Sequence, residues 1–364
     1  MKLFKSLLVA PATLGLLAPM SAIANEITIN DFNPAVENTT LLAGGEGLVN
    51  DSHDGGFSSS TTASFSADFA IGAVDGNTET NGTEAVTTGY SFQIDLNTSF
   101  TGEDSLDISI DAGNADEGSL DILDLNDAGD TLKVDGIAYT FPLGDKTTVF
   151  VGDSMDGSTL FNTACVYGGQ TIQLDDCGNS GAAFAAGLGT AAGASYDFGN
   201  GWTAALGYEG QGETGLMTKE GYDVFGGQVT YTGDAYGVSL TYSDYESSTQ
   251  NDTTYTAINA YYTPESAGSL PSISAGYEAG TITGATDTSQ WMVGLQWDEV
   301  GAGTLGAALG TYGHIADGAT EYYMYEAFYS YPMNDGMTIT PVVYIKETSS
   351  TDETGVMLKT SFSF

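Results

Sequence analysis

Carboxylates and both cysteines of this sequence crowd one stretch. Residues 153–183 carry Asp153, Asp156, Asp175 and Asp176, no lysine, and Cys165 and Cys177 twelve positions apart. Acids gathered on one loop draw cations and repel anions. The stretch has no histidine, which argues against metal ligation by the thiols. A second acidic stretch, 112–130, sets Asp124, Asn126, Asp127 and Asp130 close to Gly129. Such oxygens can hold Ca2+ or Mg2+, but Ala128 falls where the fifth position of an EF-hand loop needs a ligand. A solvated acidic surface is expected there, and no metal. The mature chain has two histidines, His53 and His314, and Asp317 follows the second closely. No nucleophile stands at the spacing a hydrolytic site requires. The glycine run from Gly187 to Gly193 lacks the context of a phosphate loop and reads as close strand packing. Neither an enzyme nor a cofactor is expected.

Composition narrows the remaining roles. Lys plus Arg number 7 against 48 Asp plus Glu, and all seven are lysines. Binding to nucleic acid needs a basic face and is excluded; a polybasic attachment to anionic lipid fails for the same reason. Residues 1–24 read as a secretory signal: Lys2 and Lys5, then an apolar run from Leu7 to Met20, then the small-x-small site Ala22-Ile23-Ala24. Without it, five lysines face 48 carboxylates, a net charge of −43. In an exported chain an isolated cysteine pair usually forms a disulfide, so Cys165–Cys177 is expected to staple its loop, with two free thiols as the alternative. Beyond the leader no run of 18 apolar residues exists, so no helix spans a membrane. Residues 25–56 are polar and show no period; they read as an N-terminal extension, periplasmic if the chain is a barrel.

The elements that must position these side chains are strands. From Phe57 onward apolar and polar residues alternate with period two. Tyr90, Phe92, Ile94 and Leu96 alternate with Ser91, Gln93, Asp95 and Asn97; Trp202, Ala204, Leu206 and Tyr208 repeat the pattern, as do Tyr236, Val238, Leu240 and Tyr242. About sixteen such segments follow one another, near 61–74, 89–100, 105–111, 131–142, 147–152, 184–198, 202–209, 222–231, 236–244, 254–263, 272–280, 289–297, 303–311, 321–331, 337–346 and 355–364. The fold class is all-β. Tight turns such as Gly199-Asn200-Gly201 alternate with long acidic loops, which puts turns at one rim and loops at the other. The apolar face has a weak Val/Ile/Leu core for a soluble protein, and its aromatics sit near strand ends, as interfacial girdles do. In lipid such a sheet must close on itself. A transmembrane antiparallel β-barrel of about 16 strands is expected over 57–364, with short periplasmic turns, long external loops and a water-filled lumen. The rival is a secreted or surface-attached β-rich adhesin without a pore; the calcium-binding Gly/Asp nonapeptide repeats that would favour it are missing.

Three short stretches carry a resemblance: Met1-Lys2-Leu3-Phe4 with Leu7-Leu8-Val9-Ala10-Pro11-Ala12, then Phe57-Ser58-Ser59-Ser60-Thr61-Thr62, and the tail Leu358-Lys359-Thr360-Ser361-Phe362-Ser363-Phe364. They resemble the cyanobacterial outer-membrane porins, relatives of the carbohydrate-selective porins. The resemblance implies passive diffusion of small hydrophilic solutes and ions across the outer membrane, a homotrimer, and a terminal Phe364 read by the barrel-assembly machinery. Members commonly carry a surface-layer-homology domain and a coiled coil before the barrel; residues 25–56 are too short for them, so cell-wall tethering is not expected. In sixteen-stranded porins the loop after the fifth strand folds into the lumen as the constriction. Here that loop is 153–183, and its length without strand pattern independently marks it as functional. Strand alternation turns Lys133, Lys346 and Lys359 into the lumen. An acidic loop of Asp153, Asp156, Asp175 and Asp176 facing this sparse lysine wall is expected to favour cations; the alternative is that these charges are merely solvated.

Overall fold

Alternating side chains make a strand with two unlike faces, and the chain repeats that unit until the sheet meets its own first edge. The computed structural model describes residues 61–75, 85–115, 120–123, 125, 129–175, 177–184, 189–212, 215–218, 221–246, 251–265 and 270–364. The expected leader, the 25–56 extension, His53, Asp124, Asn126, Asp127, Ala128 and Asp176 lie outside the described residues. The strands are β1 (Thr61–Asp75), β2 (Thr87–Thr98), β3 (Ser105–Gly113), β4 (Lys133–Pro142), β5 (Thr147–Met155), β6 (Gly189–Gly199), β7 (Trp202–Gly210), β8 (Asp223–Thr232) and β9 (Tyr236–Glu246). They continue with β10 (Thr253–Tyr262), β11 (Ser272–Ile282), β12 (Thr288–Val300), β13 (Gly303–Thr311), the two-residue β14 (Ile315–Ala316), β15 (Tyr323–Asn334), β16 (Met337–Lys346) and β17 (Glu353–Ser363).

Each long strand pairs antiparallel with its neighbours in sequence, and β1 pairs with β17, closing a barrel of sixteen long strands. Closure removes every free edge, the requirement for a sheet in hydrocarbon. At the seam Phe65 and Phe364 exchange backbone hydrogen bonds of 2.9 and 3.0 Å, and their rings stack at 5.7 Å. The strand limits expected from alternation agree to within a few residues. One difference is informative: the strand expected from 184 begins at Gly189, because Phe184 belongs to a loop inside the barrel.

Turn chemistry sets one rim. The β6–β7 hairpin turns on Asn200 and Gly201, with φ of 56° and 83°, the left-handed pair a two-residue hairpin needs. The β2–β3 turn closes on Asp104, whose carboxylate accepts from Ser99 Oγ, the Phe100 and Thr101 amides, Thr101 Oγ1 and Tyr139 Oη at 2.7–2.9 Å. The Tyr139 hydroxyl first, then these local donors, hold the Asp104 carboxyl well below the usual carboxylate range. The longer connections, among them those between β3 and β4 and between β5 and β6, leave from the opposite rim.

The two faces differ as the alternation requires. Outward, Leu206 is 70% exposed and Leu240 55%, with Val229, Ile258, Tyr277 and Val343 also bare. Inward, Ser239, Thr241 and Ser243 on β9 and Asn259 on β10 are fully buried. Buried apolar residues lie inside the barrel as well. Leu120, Ile122 and Leu123 of the 114–132 connection cluster with Leu174 and with inward Val74, Met292, Met324, Phe328, Val342, Tyr344 and Met357. The described part of the second acidic stretch is therefore two-sided: Asp121 and Asp130 are exposed, as a solvated acidic surface requires, while its apolar residues are not. Its leucines and isoleucine leave water against the inner wall, an outcome the neighbouring carboxylates obscured in the sequence.

Candidate functional site: a loop laid across the inner wall

Residues 156–175 and 177–184 follow β5 and run inside the barrel. Apart from one antiparallel bridge between Thr171 and Leu123, the described backbone there is not paired in a ladder, and each amide taken from water needs an acceptor. Residues 161–169 run without regular secondary structure, and alternate amides aim at the wall. Asn162 N donates to Gln228 Oε1 on β8 (2.6 Å), Ala164 N to Ser239 Oγ on β9 (3.0 Å) and Val166 N to Ser274 Oγ on β11 (3.0 Å). Gly168 N donates to Gln296 Oε1 on β12 (2.9 Å), and Gln170 N to Glu326 on β15 (3.1 Å). The segment thus crosses the strands, its period-two amides meeting wall side chains. Eight residues of extended chain reach roughly 26 Å, and six inter-strand spacings cover about 29 Å on a flat sheet. The match is close on the inside of a curved wall.

The chain then folds back. Asn259 Nδ2 donates to Cys177 O (3.1 Å), Ser243 Oγ to Gly181 O (2.7 Å), and the amides of Ser180, Gly181 and Ala182 donate to Glu278 on β11. Close approach needs a bare wall. A Cβ on Gly276 would collide with Cys177 O, and one on Gly294 would lie 2.5 Å from the Tyr167 ring. Cys165 and Cys177, their Cα atoms 6.1 Å apart, stand at disulfide distance between the outgoing and returning limbs.

Three inner-wall carboxylates anchor this loop. Glu209 Oε2 accepts from Gly157 N (2.6 Å), Glu278 takes the three returning amides, and Glu326 Oε1 accepts from Tyr167 Oη (2.6 Å) besides Gln170 N. Glu209 and Glu278 are fully buried and Glu326 is 3% exposed. Burial, then the Glu326 carboxylate, pushes the Tyr167 phenol well above its ordinary value. These acids carry no mark in the sequence that sets them apart from its other carboxylates. Each follows a tyrosine of the outward register, in Tyr208-Glu209, Tyr277-Glu278 and Tyr325-Glu326, and is the one carboxylate among the inward residues of its strand.

The expected site residues are scattered. Asp153 lies in β5, opposite Ile137 in register, on the face of Val149 and Val151; it accepts from Thr190 Oγ1 at 3.1 Å. Its register opposite the exposed Ile137 puts it on the outward side, just before the irregularity at Ser154 (φ 52°). Asp156 begins the loop close to Asp135, whereas Asp175, whose amide bonds to Thr171 O, lies at the loop's far end. Lys346 is on the lumen face but is paired with Glu353 at 2.7 Å and covers the Tyr312 ring at 4.9 Å. Lys359 is half-buried opposite Ala70, and Lys133 is exposed opposite Asp111. Acids and lysines are thus not segregated onto facing sides.

Carboxylates concentrate instead on the inner face of β2–β4. Asp95 accepts from Gln93 Nε2 and Ser109 Oγ, both at 2.7 Å, and Asp107 from Asn97 and Ser105. A bulge in β4 leaves Asp135 with no opposite residue in β3, which brings it within electrostatic reach of Asp95, Asp111 and Asp156. The barrel therefore holds a loop on the wall from β7 to β15 and an acidic lattice on the arc from β2 to β4.

No protein-family model matches the sequence, nor does any curated protein. Solved structures do match. OprB of Pseudomonas putida, in a high-pH structure, superposes with a TM-score of 0.65 at 10% identity, over 84% of this chain and 94% of that one. An anion-selective porin from Comamonas acidovorans gives 0.61 at 12% identity, over 84% and 99%. A double mutant of the Rhodopseudomonas blastica porin gives 0.55 at 15%, over 84% and 100%. The fold is that of bacterial porins: a closed, transmembrane antiparallel barrel with short turns at one rim and long loops at the other.

Proposed function

We propose that this chain is an outer-membrane porin that passes small hydrophilic solutes and ions by diffusion, and that its lumen prefers cations. One observation carries the reading: a barrel with a bare apolar exterior holds a long loop against part of its inner wall and keeps a carboxylate-lined arc on β2–β4. Rings of Asp and Glu select cations electrostatically. Asp95, Asp107, Asp111 and Asp135, joined by Asp156 at the start of the loop, supply that charge more fully than Asp153 and Asp175 do. Lys133 and Lys359 offset it in part; Lys346 is already neutralised by Glu353. The Comamonas porin, anion-selective by its description, shares the barrel, so the sign of selectivity lies in such side chains and not in the fold. Assembly follows the same reading: a homotrimer in outer-membrane lipid, delivered by machinery that reads the 75%-exposed Phe364, with Cys165–Cys177 oxidised and stapling the constriction.

Reversal potentials across a salt gradient test the preference. A unit charge about 6 Å from a passing ion in water is worth roughly 0.7 kcal/mol before screening. Asp95→Asn, Asp111→Asn and Asp135→Asn combined should therefore lower the cation-to-anion permeability ratio by roughly threefold to tenfold in dilute salt. An anion-preferring wild type, or a ratio that the triple variant leaves unchanged, would remove this assignment.

A further inference from the structure

His314 belongs to the β13–β15 connection at the loop-bearing rim, yet its ring enters the barrel. Its Nε2 lies 2.6 Å from Glu278 Oε1, its Nδ1 lies 2.9 Å from Thr288 Oγ1 on β12, and its ring packs edge-on to Tyr255 at 5.2 Å. Glu278 is the carboxylate on which the returning limb of the constriction loop closes. Its Oε1 also accepts from Ser180 N (3.2 Å), Gly181 N (3.0 Å) and Gln290 Nε2 (3.1 Å), and its Oε2 from Gly181 and Ala182. One fully buried carboxylate thus joins the rim, the wall and the loop.

We propose that His314 and Glu278 are positioning residues of the eyelet: an imidazole–carboxylate latch through which the rim holds the constriction loop against the wall, more firmly when the imidazole is protonated. The inference rests on the channel reading above. Thr288 can donate to Nδ1 or accept from it, so imidazole and imidazolium both keep an Nε2–H on Glu278; only the strength of the contact changes. A hydrogen bond between two charged groups is stronger than one with a neutral donor, and imidazole is the side chain whose charge changes between about pH 5 and 8. Among the described residues, the other ionisable groups facing the pair are the phenols Tyr245 on β9 and Tyr255 on β10. On β12 the partners are the uncharged Thr288 and Gln290, and beside them Asp317 joins Asp287 through backbone alone.

Single-channel recording of the full chain at pH 8 and pH 5 tests the latch by counting brief excursions to a larger conductance. In the wild type these should fall about fivefold on acidification, the ratio that follows from the strengthened contact. His314→Gln keeps an N–H donor but cannot charge, and should show the same excursion rate at both pH values. Glu278→Gln places an amide donor among amide donors and should raise the rate at both, in a barrel still verified by its heat-modifiable gel shift. A wild-type response that survives His314→Gln, or its absence from the wild type, overturns the latch while leaving the pore intact. Absence of conductance steps at any pH overturns the channel reading on which the latch depends.

Discussion

Replacing residues 158–182 by a short Gly-Ser linker should raise single-channel conductance several-fold and sharpen cation preference. Both effects have one cause. The loop occupies lumen along the wall from β7 to β15, so its removal restores cross-section to a barrel of a size that otherwise encloses an aqueous channel. It also uncovers Glu209, Glu278 and Glu326, which are buried beneath it. Hydrated carboxylates on an open wall add negative potential where the loop had covered them. Widening alone would weaken selectivity, because the field of wall charges is screened within about 10 Å at 0.1 M salt; the three exposed acids work against that loss. The outcome is read in a planar bilayer as step size and reversal potential. Unchanged steps would mean that 156–188 does not constrict the passage, and a larger but less cation-preferring pore would mean that the buried acids contribute no field.

The second large effect concerns the outside of the wall. Leu206, at the centre of β7, points outward and is 70% exposed. An arginine at that depth facing acyl chains costs about 2–4 kcal/mol. The same substitution on a water-facing surface costs within about 0.5 kcal/mol. Leu206→Arg should therefore destabilise the barrel by several times more than Asn97→Arg, which places an identical charge on the exposed lumen side of β2. Urea unfolding of both variants from lipid vesicles makes the comparison. Equal costs would contradict the inside-out arrangement, since only the solvent on the far side distinguishes the two positions.

Period-two patterning proved a strong guide to the barrel because each strand repeats the same local rule. Trp202, Ala204, Leu206 and Tyr208 state the wall's polarity before any contact is known, and Asn200-Gly201 states where it turns. The same rule reads Lys133, Lys346 and Lys359 as lumen-facing. It could not show that Lys346 meets Glu353, because that contact depends on which strands become neighbours and in what register. The site was less legible still. Asp153 looked like part of an acidic loop; in the structure it continues β5, and register, invisible in one strand alone, turns it outward. Asp135 reads as one acid among many until a bulge places it beside Asp95 and Asp111. Leu120, Ile122 and Leu123 alternate with Asp121 in a stretch whose charge suggested solvent, whereas the inward apolar residues that receive them are spread over β1, β12, β15, β16 and β17. Glu278 acquires its role from an amide run almost a hundred residues earlier. Tertiary adjacency decided each of these, and composition carries no trace of it.

Adding the purified, detergent-solubilised protein to one side of a solvent-free planar bilayer tests the central claim most directly. Discrete, stable conductance steps whose size scales with salt concentration are expected, along with dependence on detergent to remain dispersed. A chain that stays monodisperse in plain buffer and never produces a step would show that the tyrosine- and leucine-bearing surface meets water or another protein layer, and that the barrel conducts nothing.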